Sequence, residues 1–469
     1  MLFLIAFSRQ INAQVCTGGL GDPVVNITFG TAGAPDLNFP PPSAYTYTTD
    51  KCPNDGFYTI TTQTSGCFGN SWYTVNNDHT GGGAFMLVNA SYNPGDFFKT
   101  TVSALCPNTT YEFAAWVMNV LNYSSGIKPD LTFTIETPGG VVLNSYSTGP
   151  ISITGSPNWQ KVGFFFTTDP ANPTIILRIT NNAPGGNGND LALDDITFRP
   201  CGPATTSSVR GGSDNNDVCE DAQPDYIFDG TVSTGYSNPI YQWQVSNDNG
   251  ASWTDIPGAS SLQYTRRPTA AGDYLYRLSV AEAGNFSLPN CRVASNQLRV
   301  NVHALPRVIA GPERILIMGN SIVLQASTTG ESPVYNWLPP DGLNNPALLN
   351  PIAAPLVTTT YKLEVVTAFG CQGESFTRVK VVNGIYVPTA FSPNNDGKND
   401  RWRIPYLDPA LNATVAVYNR YGQLVYQVRG AAVDWDGTLQ QVPQDSGTYI
   451  YFIRFADGKL MKGHLTLIR

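Results

Sequence analysis

The stretch "YQWQVSNDNGASWTDI", Tyr241–Ile256, decides the fold class. Tyr241, Trp243 and Val245 share one face and Gln242 and Gln244 the other, the period of two that a half-buried strand requires. "NDNG" then supplies residues that accept positive φ, and "ASWTDI" resumes the run in the return direction. The stretch therefore predicts a β-hairpin. The rest of the 469-residue chain has the same texture: short apolar or alternating runs between clusters of Gly, Pro and Asn, with almost no 3.6-residue periodicity. Glycine occurs 44 times and proline 35, and only 13% of residues are charged. The expectation is an all-β, multidomain string of β-sandwiches, with three or four units for this length.

Bulk properties exclude several functions. A net charge of −8 without any basic run argues against nucleic acid as partner. No stretch of about 18 apolar residues follows the N-terminus, so no transmembrane segment is expected. The start, "MLFLIAFSRQINAQVC", reads as a signal peptide over residues 1–13, with an apolar run Leu2–Phe7 and a small residue, Ala13, at the cleavage point. A basic n-region is missing, so the true start lies upstream or the chain is slightly truncated. Eight widely spaced cysteines fit an oxidising compartment. With no CxxC pair and three histidines, His79, His303 and His464, zinc or haem ligation is not expected.

Four units follow along the chain. Residues 15–203 hold runs such as "TYEFAAWVMNV", "KVGFFFTT" and "LALDDITFRP". Cys16 and Cys201 lie at the two ends of this unit, where first and last strands are neighbours, and are paired. Cys52 and Cys67 bracket a loop and form the second bridge. Residues 204–217 lack apolar periodicity and read as a flexible linker. Residues 218–303, with a Trp in the third strand and a later Tyr-x-Tyr, resemble an immunoglobulin-like sandwich whose bridge is Cys219–Cys291. Residues 304–383, with "YNWLPPDGL", "TTTYKLEV" and "GC", resemble a PKD-like module. Cys106 and Cys371 are left over, as free thiols or an inter-domain bridge.

The last unit, 384–469, opens with "AFSPNNDGKNDRW", Ala390–Trp402. An EF-hand loop with Gly397 at its sixth position would end on Arg403 where a bidentate Glu is needed, which excludes that motif. A looser calcium turn through Asp396, Asn399 and Asp400 and a plain Asx turn stay open. Together with "VAVYNRYGQLVYQV", "DWDGTLQQVPQDSGTYIYFIRF" and "DGKLMKGHLTLIR", the unit resembles the gliding-motility-associated C-terminal domain of Bacteroidetes. That resemblance implies cargo of the type IX secretion machinery, secreted or held at the outer cell surface.

The first unit resembles carbohydrate-binding jelly rolls through "VVNITF", "TTYEFAAWVMN", "NWQKVGFFFTT" and "DLALDDITF". In the last run strict alternation puts Ala192, Asp194, Ile196 and Phe198 on one face. An unpaired carboxylate among apolar residues is costly. The resemblance implies a structural calcium at Asp194, although the family's acidic partner after the N-terminal Asn-x-x-Phe is Gly30 here. The alternative is a carboxylate capped by backbone N–H groups or an Arg. Sugar binding needs aromatic faces and polar edges, and Trp72, Tyr73, Asn76, Asn77 and Asp78 offer both in one segment. The alternative there is a strand with a buried Trp. Trp116 and Trp159 read as core. The unit's two glutamates, Glu112 and Glu136, lie on separate strands and make no acid/base pair, and no GxSxG or HExxH motif occurs. The reading is a non-catalytic adhesin-like protein whose jelly roll binds glycan. The alternatives are a structural or protein-binding adhesion protein, and an unrecognised hydrolase.

Overall fold

The computed structural model describes residues 15–31, 34–220, 226–267, 269–382 and 384–469. The signal-peptide reading of residues 1–13 lies outside them. The described residues form strands joined by turns and four short 3-10 segments, and no helix is long and apolar enough to cross a membrane. The fold is all-β. Two compact units are present: Met1–Asn216 with Gln223–Pro268 and Asp273–Asn301, and Asp217–Ala222 with Thr269–Gly272 and Val302–Arg469.

The first unit begins with a sandwich. One sheet runs in the order Phe57–Thr61, Phe85–Asn89, Asp190–Gly202, Thr110–Asn119 and Gln160–Thr167, all antiparallel. The other runs Val142–Pro150, Asp130–Glu136, Ile175–Asn181 and Gly95–Val102. Alternate residues of both sheets meet in one core that includes Met86, Phe113, Val117, Phe133, Ile135, Leu177, Ile179 and Leu193, none more than 1% exposed. At about 25 cal/mol per Å² of apolar surface, this burial is the dominant stabilising term of the unit.

Strict alternation fails in the central strand Asp190–Gly202. Its register against Thr110–Asn119 jumps between Asp194 and Thr197, and Asp195 has φ of 45°. One residue is inserted, as in a β-bulge, and parity reverses after it. Leu191, Leu193, Ile196 and Phe198 therefore all face the core, while Ala192 belongs to a second apolar cluster on the outer face. The expected companionship of Asp194 with Ile196 and Phe198 is thus corrected.

The same sheet continues through Gly19–Leu20, which pairs with both Asp190–Gly202 and Val293–Ala294, into a second module. There Pro239–Ser246 pairs with Thr254–Asp255 in the hairpin read from the sequence, and Trp243 is wholly buried with its ring 5.7 Å from that of Phe228. The stretch read as a linker is largely strand, Thr205–Val209 and Asn215–Cys219. Its period of two was hidden because two of its three inward positions, Thr205 and Ser207, are hydroxyl residues. Asn296 satisfies the Ser207 backbone and hydroxyl, which removes the cost of burying them.

Cys16 is bonded to Cys201 and Cys52 to Cys67. The pairing Cys219–Cys291 is corrected: Cys106 bonds Cys291, and Cys219 bonds Cys371. Cys106 and Cys291 are both buried in the sandwich core. Cys219 ends a strand beside His303, whose carbonyl accepts from Glu220 and also lies 3.9 Å from the Cys371 sulfur. Pairing follows neighbourhood in the fold and ignores the sequence borders of modules. Among the described residues no cysteine is free.

Two larger sheets organise the second unit, with three two-stranded sheets beside them among the described residues. Arg314–Ile317, Gln372–Val382, Thr359–Val366 and Val334–Leu338 enclose Trp337 and Tyr361, both fully buried. The C-terminal sheet runs Ala390–Phe391, Leu460–Leu467, Gly447–Arg454, Thr414–Tyr418 and Leu424–Arg429. Trp402 and Trp435 bridge each other and are buried. In the polar loop before them, Asp400 accepts the N–H groups of Asn395 and Gly397, at 2.6 and 2.8 Å, and Asp396 accepts that of Lys398. Gly397, at φ 82°, sits where a side chain is disfavoured. The loop is an Asx-type turn whose carboxylates are spent on its own backbone.

Candidate functional site

The segment Trp72–Gly83 crosses the outer face of the sandwich. Backbone bonds dock its start on the sheet, Tyr73 N–H to Val120 O at 2.7 Å and the Trp72–Leu121 bridge. Two carboxylates from one strand, four residues apart, then hold it. The Trp72 indole N–H donates to Asp190 Oδ2 at 2.9 Å, and the His79 N–H donates to Asp194 Oδ2 at 3.1 Å. The His79 ring stacks on Trp116 with centroids 3.7 Å apart, and its Nδ1 lies 2.8 Å from Asp195 Oδ2. Cys52–Cys67 fixes the preceding loop.

This geometry decides the sequence-derived residues one by one. Trp72 is 3% exposed, so its faces are closed to a ligand and its indole N–H is already used. Asp78 is also buried, and its carboxylate accepts from Thr80 and from the N–H groups of Gly81 and Gly82. A Cβ at Gly83 would lie 2.5 Å from Asp78 Oδ2, so the glycine run is what lets the chain wrap the carboxylate. Tyr73 is half-buried and its hydroxyl donates to Thr154 O. Asn76 and Asn77 alone stand exposed. The expected aromatic platform is corrected to a buried clamp, because the indole hydrogen bond draws Trp72 inward. Trp116 and Trp159 are half-buried, Trp159 against the outer apolar cluster.

The electrostatics follow from burial. Desolvation pushes Asp190 up to about 7, against the Trp72 hydrogen bond and the Ala90 N–H. Desolvation, with Asp195 nearby, likewise pushes Asp194 up to about 7. At Asp78 desolvation is overcome by the Thr80 hydroxyl and the Gly81, Gly82 and Gly83 N–H groups, which hold it below the usual range. Asp190, His79 and Asp195 escaped the sequence reading. The signal for Asp190 was its spacing of four from Asp194 on one strand face.

His79, Asp194 and Asp195 bring three ligand atoms within 4.8 Å of one another. Calcium takes six to eight oxygen ligands. Here one donor is an imidazole nitrogen, and each Asp194 oxygen accepts a backbone N–H, from His79 and Asp195. The residues present do not fit calcium. They match the capped carboxylate that the sequence left as the alternative.

The two glutamates of the sandwich are engaged apart from each other. Glu112, fully buried, accepts from Lys161 Nζ and Cys16 N at 2.6 Å each. Glu136 accepts from Arg178, which also donates to Asp96.

Residues 385–467 match a family model described as the CHU_C Type IX secretion signal domain. Residues 210–304 match a domain of unknown function, DUF8696. No curated protein matches the chain. Solved structures similar to parts of it include DIP-gamma IG1+IG2, at 14% identity over 38% of this chain and 97% of that one, TM-score 0.24. A Stig cyclase, Fisc, from Fischerella sp. TAU shares 15% identity over 30% of this chain and 74% of that one, TM-score 0.23. SGBP-B of the Bacteroides ovatus mixed-linkage glucan utilization locus, in complex with mixed-linkage heptasaccharide, shares 17% identity over 54% of this chain and 64% of that one, TM-score 0.16. At these TM-scores the structural likenesses carry no argument. The C-terminal match does: residues 385–467 are a type IX secretion signal domain, and the protein is exported to the cell surface or beyond.

Proposed function

We propose that this is a non-catalytic, surface-displayed adhesin-like protein that the type IX machinery delivers and whose N-terminal jelly roll binds glycan. The observation that carries the reading is the secretion signal at one end of a disulfide-braced series of β-sandwiches. The absence of catalysis rests on how the acidic side chains are used: Glu112, Glu136, Asp78, Asp190 and Asp194 are each tied to a structural donor. A general acid/base pair needs two carboxyls facing one substrate bond.

One observation favours a protein ligand instead. The outer face of the second sheet carries Lys99, Thr132, Thr134, Ser145, Arg178 and Thr180 in register, without an aromatic ring among them. Such a face lacks the ring surface that sugar stacking needs and leaves only polar groups for a partner to meet.

The test is a glycan array probed with the full oxidised chain. A fragment ending at 203 would leave Cys106 without Cys291 and cut the sheet at the Leu20–Ala294 pair. Saturable binding to a defined glycan supports the reading. A blank array with pull-down of a surface protein moves it to the protein-binding alternative.

A further inference from the structure

We propose a carbohydrate-binding cleft where the N-terminal sandwich meets the second module, with Phe165 and Tyr236 as its aromatic walls. The proposal rests on the reading that the first unit binds glycan, and it places the site away from the Trp72 segment. A cavity of about 550 Å³ lies there, inside the first unit, among Thr17, Asn108, Phe165, Tyr236, Ser237 and Glu282. Small-ligand sites span roughly 300–1,000 Å³.

Each wall has a specific origin. Phe164 and Phe166 are buried, so Phe165 between them points outward and is 40% exposed. An aromatic ring left open between two buried ones offers a face for sugar C–H groups. Tyr236 lies over Gly202, where a Cβ would fall 2.4 Å from the tyrosine Oη, so close approach requires glycine at 202. Desolvation, with Glu282 and Tyr111 nearby, pushes the Tyr236 hydroxyl up to about 12, and no hydrogen bond to a described residue opposes this. Among the described residues, that hydroxyl is a donor and acceptor without a hydrogen-bond partner.

The charge pattern selects the ligand class. Among the described residues Glu282 is the one charged residue lining the cavity, and its oxygens accept the N–H groups of Ser237 and Asn238 at 3.0 and 2.8 Å. Phosphate or sulfate groups would find no cation, and a cationic ligand would find a carboxylate already occupied. Aromatic faces beside the Thr17 hydroxyl and the exposed Asn108 amide suit a neutral polyol.

The site is also rigid. Cys16–Cys201 and Cys106–Cys291 both border it, and Asn285 Nδ2 donates across it to Pro107 O at 2.8 Å and Thr109 Oγ1 at 2.9 Å. Pre-fixed walls lower the ordering cost of binding.

The experiment is affinity gel electrophoresis of the full oxidised chain in β-glucan, xylan and galactomannan. The variants are Phe165→Ala, Tyr236→Phe and the double Asn76→Ala/Asn77→Ala. Retardation by at least one polysaccharide is expected. It should weaken roughly tenfold or more in Phe165→Ala and about fivefold in Tyr236→Phe, the size of one hydrogen bond, with the Asn double variant unchanged. Tyr236→Phe removes only an unpartnered hydroxyl, so its folding is not in question. Wild-type retardation that both cleft variants retain overturns the cleft and leaves the glycan reading standing. No retardation of the wild type by any of the three overturns both.

Discussion

Replacing Asp190 by Asn should stabilise the first unit at pH 8. The carboxyl is 5% exposed and pushed up to about 7 from an ordinary 3.8, first by desolvation. Three pH units at about 1.4 kcal/mol each give a ceiling of about 4 kcal/mol for holding the ionised form in the fold. A raised acid pKa means the folded state binds the proton more tightly than the unfolded chain. The associated stability is therefore fully present near and below pH 4, and is lost as pH rises through about 7. Asn keeps an oxygen acceptor for the Trp72 indole and carries no charge. The expected gain is about 2–4 kcal/mol at pH 8, narrowing as pH falls through 7 and closing towards pH 4. Urea melts of both proteins at pH 4, 6 and 8, with disulfides intact, measure it. A variant less stable than wild type at pH 8, or a difference independent of pH, would mean that Asp190 is ionised and compensated in the fold.

Other outcomes follow from the same contacts. Asp194→Ala removes the acceptor of the His79 and Asp195 N–H groups and should cost about 2–4 kcal/mol. The loss should be equal in calcium and in chelator; a loss confined to calcium would restore the metal. The double Cys106→Ser/Cys291→Ser variant opens a link across 185 residues and should lose about 2–5 kcal/mol, read as a lower Tm. An unchanged Tm would show that the sheet continuity at Leu20–Ala294 suffices. Trp402→Ala should cost about 3–5 kcal/mol in the C-terminal module, since its ring is fully buried and its indole donates to Pro388 O at 2.8 Å.

Where the sequence was legible, a local rule was at work. The Tyr241–Ile256 hairpin and the Thr414–Tyr418 and Leu424–Arg429 pair follow from alternation and turn residues, because both act over a few positions. The export module was legible through motifs in order along one segment. Legibility failed where distant residues decide. The bulge at Asp195 reversed the parity of the central strand, and alternation cannot foresee an inserted residue. Cys291, at the end of a short 3-10 segment, found Cys106, in a loop, because both are buried in one core, a proximity that sequence spacing does not encode. Trp72 read as a platform and proved a clamp, since only the fold reveals an acceptor 118 residues away.

Removing the last module shows whether it is what sends the protein out of the cell. Cells producing the chain without residues 384–469 should retain it in the periplasm, oxidised and folded, whereas the full chain reaches the outer surface or the medium. Fractionation and surface immunolabelling of the two strains decide it. Equal surface or medium levels of both proteins would show that residues 384–469 do not direct export.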